Sequence, residues 1–105
     1  MKIKVYGLKE CGFCKNLAAA LEQRGIPFKW IDAEDRDFDS EVSKLESFFD
    51  STRYPKVILF SNKTKTVFVN PYEGTKLDVL GDNIFEYYNS LEDILELIEK
   101  YKNEI

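Results

Sequence analysis

The chain has 105 residues, 44% of them apolar, so we expect a single globular domain over residues 1–105 with a modest core. Acidic residues outnumber basic ones 19 to 15 and the basic residues are scattered, which argues against a nucleic-acid partner. No stretch approaches the ~20 consecutive apolar residues of a membrane span, and the N-terminus lacks the apolar run of a secretion signal. We therefore expect a cytoplasmic monomer with neither a nucleic-acid nor a membrane partner.

The N-terminal half alternates between strand patterns and helix patterns. Residues 3–7 predict a first strand, and residues 12–24 carry apolar side chains at helical spacing that stops at Gly25. Residues 27–33 predict a second strand, and residues 38–50 predict a second helix. The order of this half is therefore β-α-β-α.

The C-terminal half predicts a hairpin followed by a helix. Two β-branched and aromatic runs, residues 56–62 and 65–70, are separated by polar residues as in a β-hairpin. The last helix is predicted over residues 90–102, where Ser90 followed by Asp93 resembles a capping box. Together these elements predict an α/β fold, with a small four-stranded mixed sheet flanked by about three helices.

Residues 71–89 are assigned to no element, and this is a long connection for so small a domain. The segment contains the aromatic residues Phe85, Tyr87 and Tyr88. Two roles remain open for them: packing against the last helix, or forming a lid that selects substrates.

The only two cysteines, Cys11 and Cys14, lie three positions apart where the first strand gives way to the first helix. A disulfide between such close neighbours stabilises a fold little, because it removes little entropy from the unfolded chain. If Cys11 is the N-cap, its sulfur faces unpaired backbone N–H groups and the positive end of the helix dipole, which favour the thiolate. Cys11 is then the candidate nucleophile, and Cys14 is the candidate resolving thiol that attacks a mixed disulfide on Cys11.

Three other interpretations of the cysteine pair remain open. A zinc site would require two chains, because this one has no histidine and no third cysteine. A permanent disulfide would be typical of a secreted protein, and no secretion signal is visible. Two unrelated buried thiols are the third alternative. Redox chemistry is the interpretation that the spacing favours.

The stretch "KVYGLKECGFCKNLAAALEQRGIPFKWID" resembles the N-terminal half of a glutaredoxin, in the thioredoxin superfamily, over residues 2–33. The resemblance continues at Tyr54-Pro55, which matches the position of the family's cis-proline before a core strand. It implies a thioredoxin-like fold and an oxidoreductase that reduces disulfides or glutathione mixed disulfides. Glutathione is the implied co-substrate, and no metal is expected.

The resemblance also implies a set of residues that bind substrate or glutathione. The aromatic Phe13 occupies the third position of the Cys-x-x-Cys motif, as in glutaredoxins. Lys9 and Arg53 are candidates for binding a glutathione carboxylate. Tyr54 is expected to pair through its backbone with a substrate peptide or with glutathione, and Pro55 is expected to turn that backbone toward the thiols.

Two other functions on the same fold remain open. A thioredoxin-type reductase of protein disulfides uses the same chemistry, although Val5 stands where thioredoxins have a buried acid. The motif Cys-Gly-Phe-Cys also differs by one sulfur from the Cys-Gly-Phe-Ser of monothiol glutaredoxins, which bind an iron–sulfur cluster. A non-enzymatic cluster-binding or interaction module is therefore the third alternative.

Overall fold

A computed structural model of the chain describes residues 2–32, 54–60, 66–71 and 83–103. The helix predicted over residues 38–50 lies outside these ranges. The described residues form five strands and two helices: β1 (Lys2–Gly7), α1 (Gly12–Gln23), β2 (Lys29–Asp32), β3 (Lys56–Phe60), β4 (Thr66–Pro71), β5 (Asn83–Tyr88) and α2 (Leu91–Asn103).

The five strands form one mixed sheet in the order β2-β1-β3-β4-β5. Strand β1 runs parallel to β2 and antiparallel to β3, β3 and β4 form the predicted antiparallel pair, and β5 runs parallel to β4. The mixed α/β sheet and the thioredoxin-like fold are thus confirmed, with five strands instead of four. Because β1 ends where antiparallel β3 begins, the segment after β1 and the segment before β3 meet at one edge of the sheet.

The fifth strand corrects the prediction that residues 71–89 are a connection without an element. Residues 84–88 read "IFEYY", a short aromatic run that Glu86 interrupts. In the folded protein the Glu86 carboxylate accepts a hydrogen bond from the Tyr101 hydroxyl at 2.7 Å and lies 3.8 Å from Lys100 Nζ. The charge therefore has partners on α2 that the local sequence does not show.

The end of α1 and the beginning of α2 show the signals that their sequences carry. Gly25, with φ of 67°, ends α1 in a Schellman arrangement, in which the Ile26 N–H donates to the Leu21 carbonyl at 2.9 Å. The predicted Ser90–Asp93 cap is confirmed: the Asp93 N–H donates to Ser90 Oγ at 3.3 Å. The Asp93 carboxylate accepts in turn from the Asn89 N–H at 2.8 Å.

The main core lies between one face of the sheet and the two helices. Apolar side chains from β1, β3 and β4 meet the buried stripes of α1 and α2 there, and the cluster includes Val5, Leu17, Leu21, Val57, Val69, Ile94 and Ile98. A second cluster covers the opposite face and comprises Tyr6, Ile31, Ile58, Phe68 and Phe85. Of the two described helices, neither has the length and apolar composition to cross a membrane.

Candidate active site

Cys11 occupies the N-cap of α1, as the sequence predicts. Its backbone is extended, with φ of −81° and ψ of 107°, and its Sγ accepts a hydrogen bond from the Cys14 backbone N–H at 3.1 Å. The first turn of α1 contains no acidic residue. The positive end of the helix dipole is therefore directed at the Cys11 sulfur without competition from a carboxylate in that turn.

Cys11 and Cys14 are joined in a disulfide, with their Cα atoms 5.2 Å apart. The two cysteines differ in access to solvent: Cys14 is fully buried, whereas Cys11 is half-buried. A thiol substrate therefore reaches the Cys11 sulfur first. Among the described residues, no cluster of three or more histidine, cysteine, aspartate or glutamate side chains is arranged to hold a metal ion.

Gly7 and Trp30 form the wall behind the buried cysteine. A Cβ atom built on Gly7 would overlap the Trp30 indole, 2.7 Å from Cζ2, and would lie 3.1 Å from Cys14 Cβ. The absence of a side chain at Gly7 is therefore what lets the indole and the cysteine approach each other. The sequence contained one signal for this contact, a glycine at the end of the strand before the motif.

The loop before β3 faces the exposed thiol. The Tyr54-Pro55 peptide bond is cis, as the family resemblance implied, and Pro55 is buried. The Tyr54 carbonyl oxygen lies 3.7 Å from Cys11 Sγ. The Tyr54 ring packs instead with the second cluster, where Lys56 Nζ lies 5.3 Å from its centroid. The backbone of Tyr54 and not its side chain therefore borders the thiol.

Tyr88 is a site residue that sequence reasoning did not place in the site. Its hydroxyl donates a hydrogen bond to the Pro55 carbonyl oxygen at 2.5 Å, and its ring centroid lies 5.5 Å from that of Phe13. Burial raises the pKa of the Tyr88 phenol well above its ordinary value, so the hydroxyl keeps its proton. Only the tertiary fold reveals this contact, because Tyr88 and Pro55 are far apart in the chain.

The aromatic residues of the 83–88 segment pack into the cores. Tyr88 belongs to the main core beside α2, and Phe85 stacks on Phe68 across the other face at a centroid distance of 5.4 Å. Tyr87 is half-buried and packs against the second cluster. Packing against the last helix, as predicted, therefore describes Tyr88, whereas Phe85 packs on the opposite face of the sheet.

The remaining candidate residues that the structure describes differ in burial and in their contacts. Phe13 is half-buried in the first turn of α1 and packs against the main core. Lys9 has a side chain that is 80% exposed, with its Nζ 4.0 Å from the Asp32 carboxylate. Arg53 lies outside the described residues. The structure thus gathers the two cysteines, Phe13 and the cis-proline loop around one edge of the sheet, with Lys9 at its periphery.

Comparison with known proteins gives one match. The family model described as Glutaredoxin matches residues 3–68, which is more than half of the chain. The matched region contains both cysteines and the cis-proline, and it ends inside β4, before β5 and α2. No curated protein and no solved structure matches the chain.

Proposed function

This chain belongs to the glutaredoxin family, and from that membership we propose that it is a thiol–disulfide oxidoreductase that uses glutathione as its reductant. The observation that carries the proposal is the position of the Cys11 sulfur. It caps α1, accepts the Cys14 N–H, and borders the Tyr54 backbone at 3.7 Å. A reactive thiol and a backbone able to pair with a peptide therefore lie side by side.

The first step of the proposed reaction is an attack by the reduced Cys11 thiolate on a glutathione mixed disulfide. The helix dipole and the Cys14 N–H stabilise this thiolate. A new bond forms between Cys11 Sγ and the glutathione sulfur, while the sulfur–sulfur bond of the substrate breaks. The substrate sulfur leaves as a thiolate and takes up a proton from solvent.

The second step depends on the substrate. After a mixed disulfide, a second glutathione thiolate attacks the glutathione bound to Cys11, which yields oxidised glutathione and restores the Cys11 thiolate. When the substrate is a protein disulfide, Cys11 first bonds to one of its sulfurs and the other leaves as a thiolate. The Cys14 thiolate then attacks Cys11 Sγ and releases the protein as a dithiol. That route ends in the Cys11–Cys14 disulfide, which two glutathione molecules reduce while they become oxidised glutathione.

Binding of glutathione is assigned to the candidate residues that the family resemblance implies. The Tyr54 backbone pairs with the peptide part of glutathione, and Phe13 and Pro55 supply apolar contacts next to the sulfur. Lys9 and Arg53 bind a carboxylate. The support for Lys9 is its exposure: an exposed lysine 4.0 Å from Asp32 is held weakly and exchanges partners easily.

The proposed reaction also has consequences for location and assembly. An enzyme that draws electrons from glutathione works where thiols are kept reduced, so the proposal implies a cytoplasmic protein. The proposal is for a monomer, with glutathione and protein disulfides as its partners.

Comparison of two electron donors tests the proposal. Turnover of a glutathione mixed disulfide is measured with glutathione and glutathione reductase, and separately with thioredoxin reductase alone. We expect turnover with glutathione. Turnover with thioredoxin reductase and none with glutathione would contradict this proposal and support the thioredoxin-type alternative. An inactive wild-type protein that binds iron would support the cluster-binding alternative.

A further inference from the structure

One side chain, Tyr88, joins two parts of the site that come from distant segments of the chain. Its hydroxyl holds the Pro55 carbonyl, and its ring lies against Phe13 in the first turn of α1. Pro55 follows Tyr54, whose carbonyl borders Cys11 Sγ. Tyr88 therefore contacts both segments that border the space between Cys11 Sγ and the Tyr54 backbone, namely the first turn of α1 and the loop before β3.

Burial and strand pairing hold Tyr88 in place. Tyr88 is only 5% exposed, ends β5, and pairs in register with Pro71 of β4. It belongs to the main core cluster, which also contains Ile94 and Ile98 of α2. A tyrosine is protonated throughout the neutral range, and burial raises the pKa of Tyr88 further, so its hydroxyl remains a donor to the Pro55 carbonyl.

We propose that Tyr88 is a positioning residue of this active site, which sets the separation between Cys11 Sγ and the Tyr54 backbone and thereby favours disulfides that carry peptide groups. A disulfide with amide groups must pair with Tyr54 while its sulfur reaches Cys11, so its reaction depends on that separation. A small disulfide without amide groups has only to reach the sulfur. This inference deepens the proposed function and rests on it.

The chain offers a matched control. Tyr101 is also a buried tyrosine, and its hydroxyl donates to Glu86 Oε1 between α2 and β5, away from the thiols. Tyr88→Phe and Tyr101→Phe each remove one hydroxyl and keep the ring. Comparison of the two variants therefore separates the general cost of losing a buried hydrogen bond from the effect of losing the contact with Pro55.

The experiment measures single-turnover reactions of the reduced protein with three reagents. Oxidised glutathione carries peptide groups, bis(2-hydroxyethyl) disulfide does not, and iodoacetamide reports the reactivity of the thiolate alone. With either disulfide, Cys11 forms a mixed disulfide with one half of the reagent, and the other half leaves as a thiol. We expect Tyr88→Phe to slow the reaction with oxidised glutathione about fivefold, the effect of one hydrogen bond. The other two rates should match the wild-type rates.

Tyr101→Phe should keep all three rates, and both variants should lose stability to urea. Equal slowing of all three reactions in Tyr88→Phe, or the same selective loss in Tyr101→Phe, would overturn the positioning role. Wild-type rates with all three reagents in Tyr88→Phe would also overturn the positioning role. The coupled assay with glutathione reductase tests the proposed function separately. If the wild type shows no glutathione-dependent turnover there, but Tyr88→Phe is selectively slower with oxidised glutathione in single turnover, the assignment of glutathione as reductant fails and the positioning role stands.

Discussion

The two helices begin in the same way and use their N-termini differently. In α1 the Cys11 sulfur accepts the backbone N–H of the residue three positions on, and in α2 the Ser90 hydroxyl does the same. The first turn of α2 contains Glu92 and Asp93, whereas that of α1 contains no acid. Carboxylates at a helix N-terminus stabilise the helix. In α2 the helix dipole interacts with two carboxylates and stabilises the helix. In α1 no carboxylate of the first turn competes with the Cys11 sulfur for the dipole.

Replacing the α1 cap should have the largest effect on activity. Cys11→Ser keeps a good N-cap but has no sulfur to form a mixed disulfide, so we expect no detectable turnover of any disulfide. Circular dichroism and urea unfolding of the reduced proteins check that the fold survives. Turnover that persists in Cys11→Ser would remove Cys11 as the nucleophile.

Replacing Cys14 should reduce the rate of protein-disulfide reduction far more than the rate at which glutathione is removed from mixed disulfides. In Cys14→Ser, a second glutathione still frees Cys11, so we expect substantial removal of glutathione from mixed disulfides. Reduction of protein disulfides should fall to a small fraction of the wild-type rate, because release needs attack by a thiol held one helical turn away. Insulin reduction and a glutathione-coupled assay measure the two rates in parallel. Equal losses in both assays would contradict the division of roles.

A carboxylate in the first turn of α1 should make α1 resemble α2. Gly12 is exposed, and a Cβ built there meets nothing within 4 Å, so Gly12→Asp fits without a clash. The added charge competes for the dipole and repels the thiolate, at a cost of about 0.3–1 kcal/mol. We expect alkylation of Cys11 by iodoacetamide at neutral pH to slow roughly two- to fivefold.

Gly12→Asn is the matched control, since it adds nearly the same atoms without the charge. The difference between the Asp and Asn variants should narrow as the salt concentration rises, because ions screen an exposed charge. Equal rates in the two variants would show that the absence of an acidic residue from the first turn of α1 does not contribute to thiolate reactivity.

Removal of the α2 cap should have the smallest effect on activity. Ser90→Ala loses the hydrogen bond to the Asp93 N–H, and we expect the free energy of unfolding to fall by about 1 kcal/mol. Alkylation of Cys11 should keep its wild-type rate, because the α2 N-terminus does not bind the thiol. Urea titration and alkylation kinetics on the same preparation test both statements. A slower Cys11 in Ser90→Ala would mean that the two N-termini are coupled.

Local patterns predicted most of the described fold. The helix predicted over residues 12–24 is found at Gly12–Gln23, and the one predicted over 90–102 is found at Leu91–Asn103, because apolar periodicity and caps are local signals. Strand β5 was missed because Glu86 breaks its apolar run, and the partners of that charge come from α2.

The candidate site likewise has a part that local sequence patterns predicted and a part that only the tertiary structure shows. The spacing of Cys11 and Cys14 and the Tyr54-Pro55 dipeptide are visible in the sequence, and the structure brings them together. The contact between Tyr88 and Pro55 joins residues 33 positions apart and lies partly beyond the family-matched region. No periodicity or motif encodes such a contact, since it depends on how β5 pairs with β4.

The close approach permitted by Gly7 also gives the protein an optical reporter. Trp30 is the only tryptophan, and its indole meets Cys14 across the space that a side chain on Gly7 would fill. Disulfides quench the fluorescence of an adjacent indole more strongly than thiols do. We therefore expect the emission of Trp30 to rise when the Cys11–Cys14 disulfide is reduced, which would report the redox state in real time without a label.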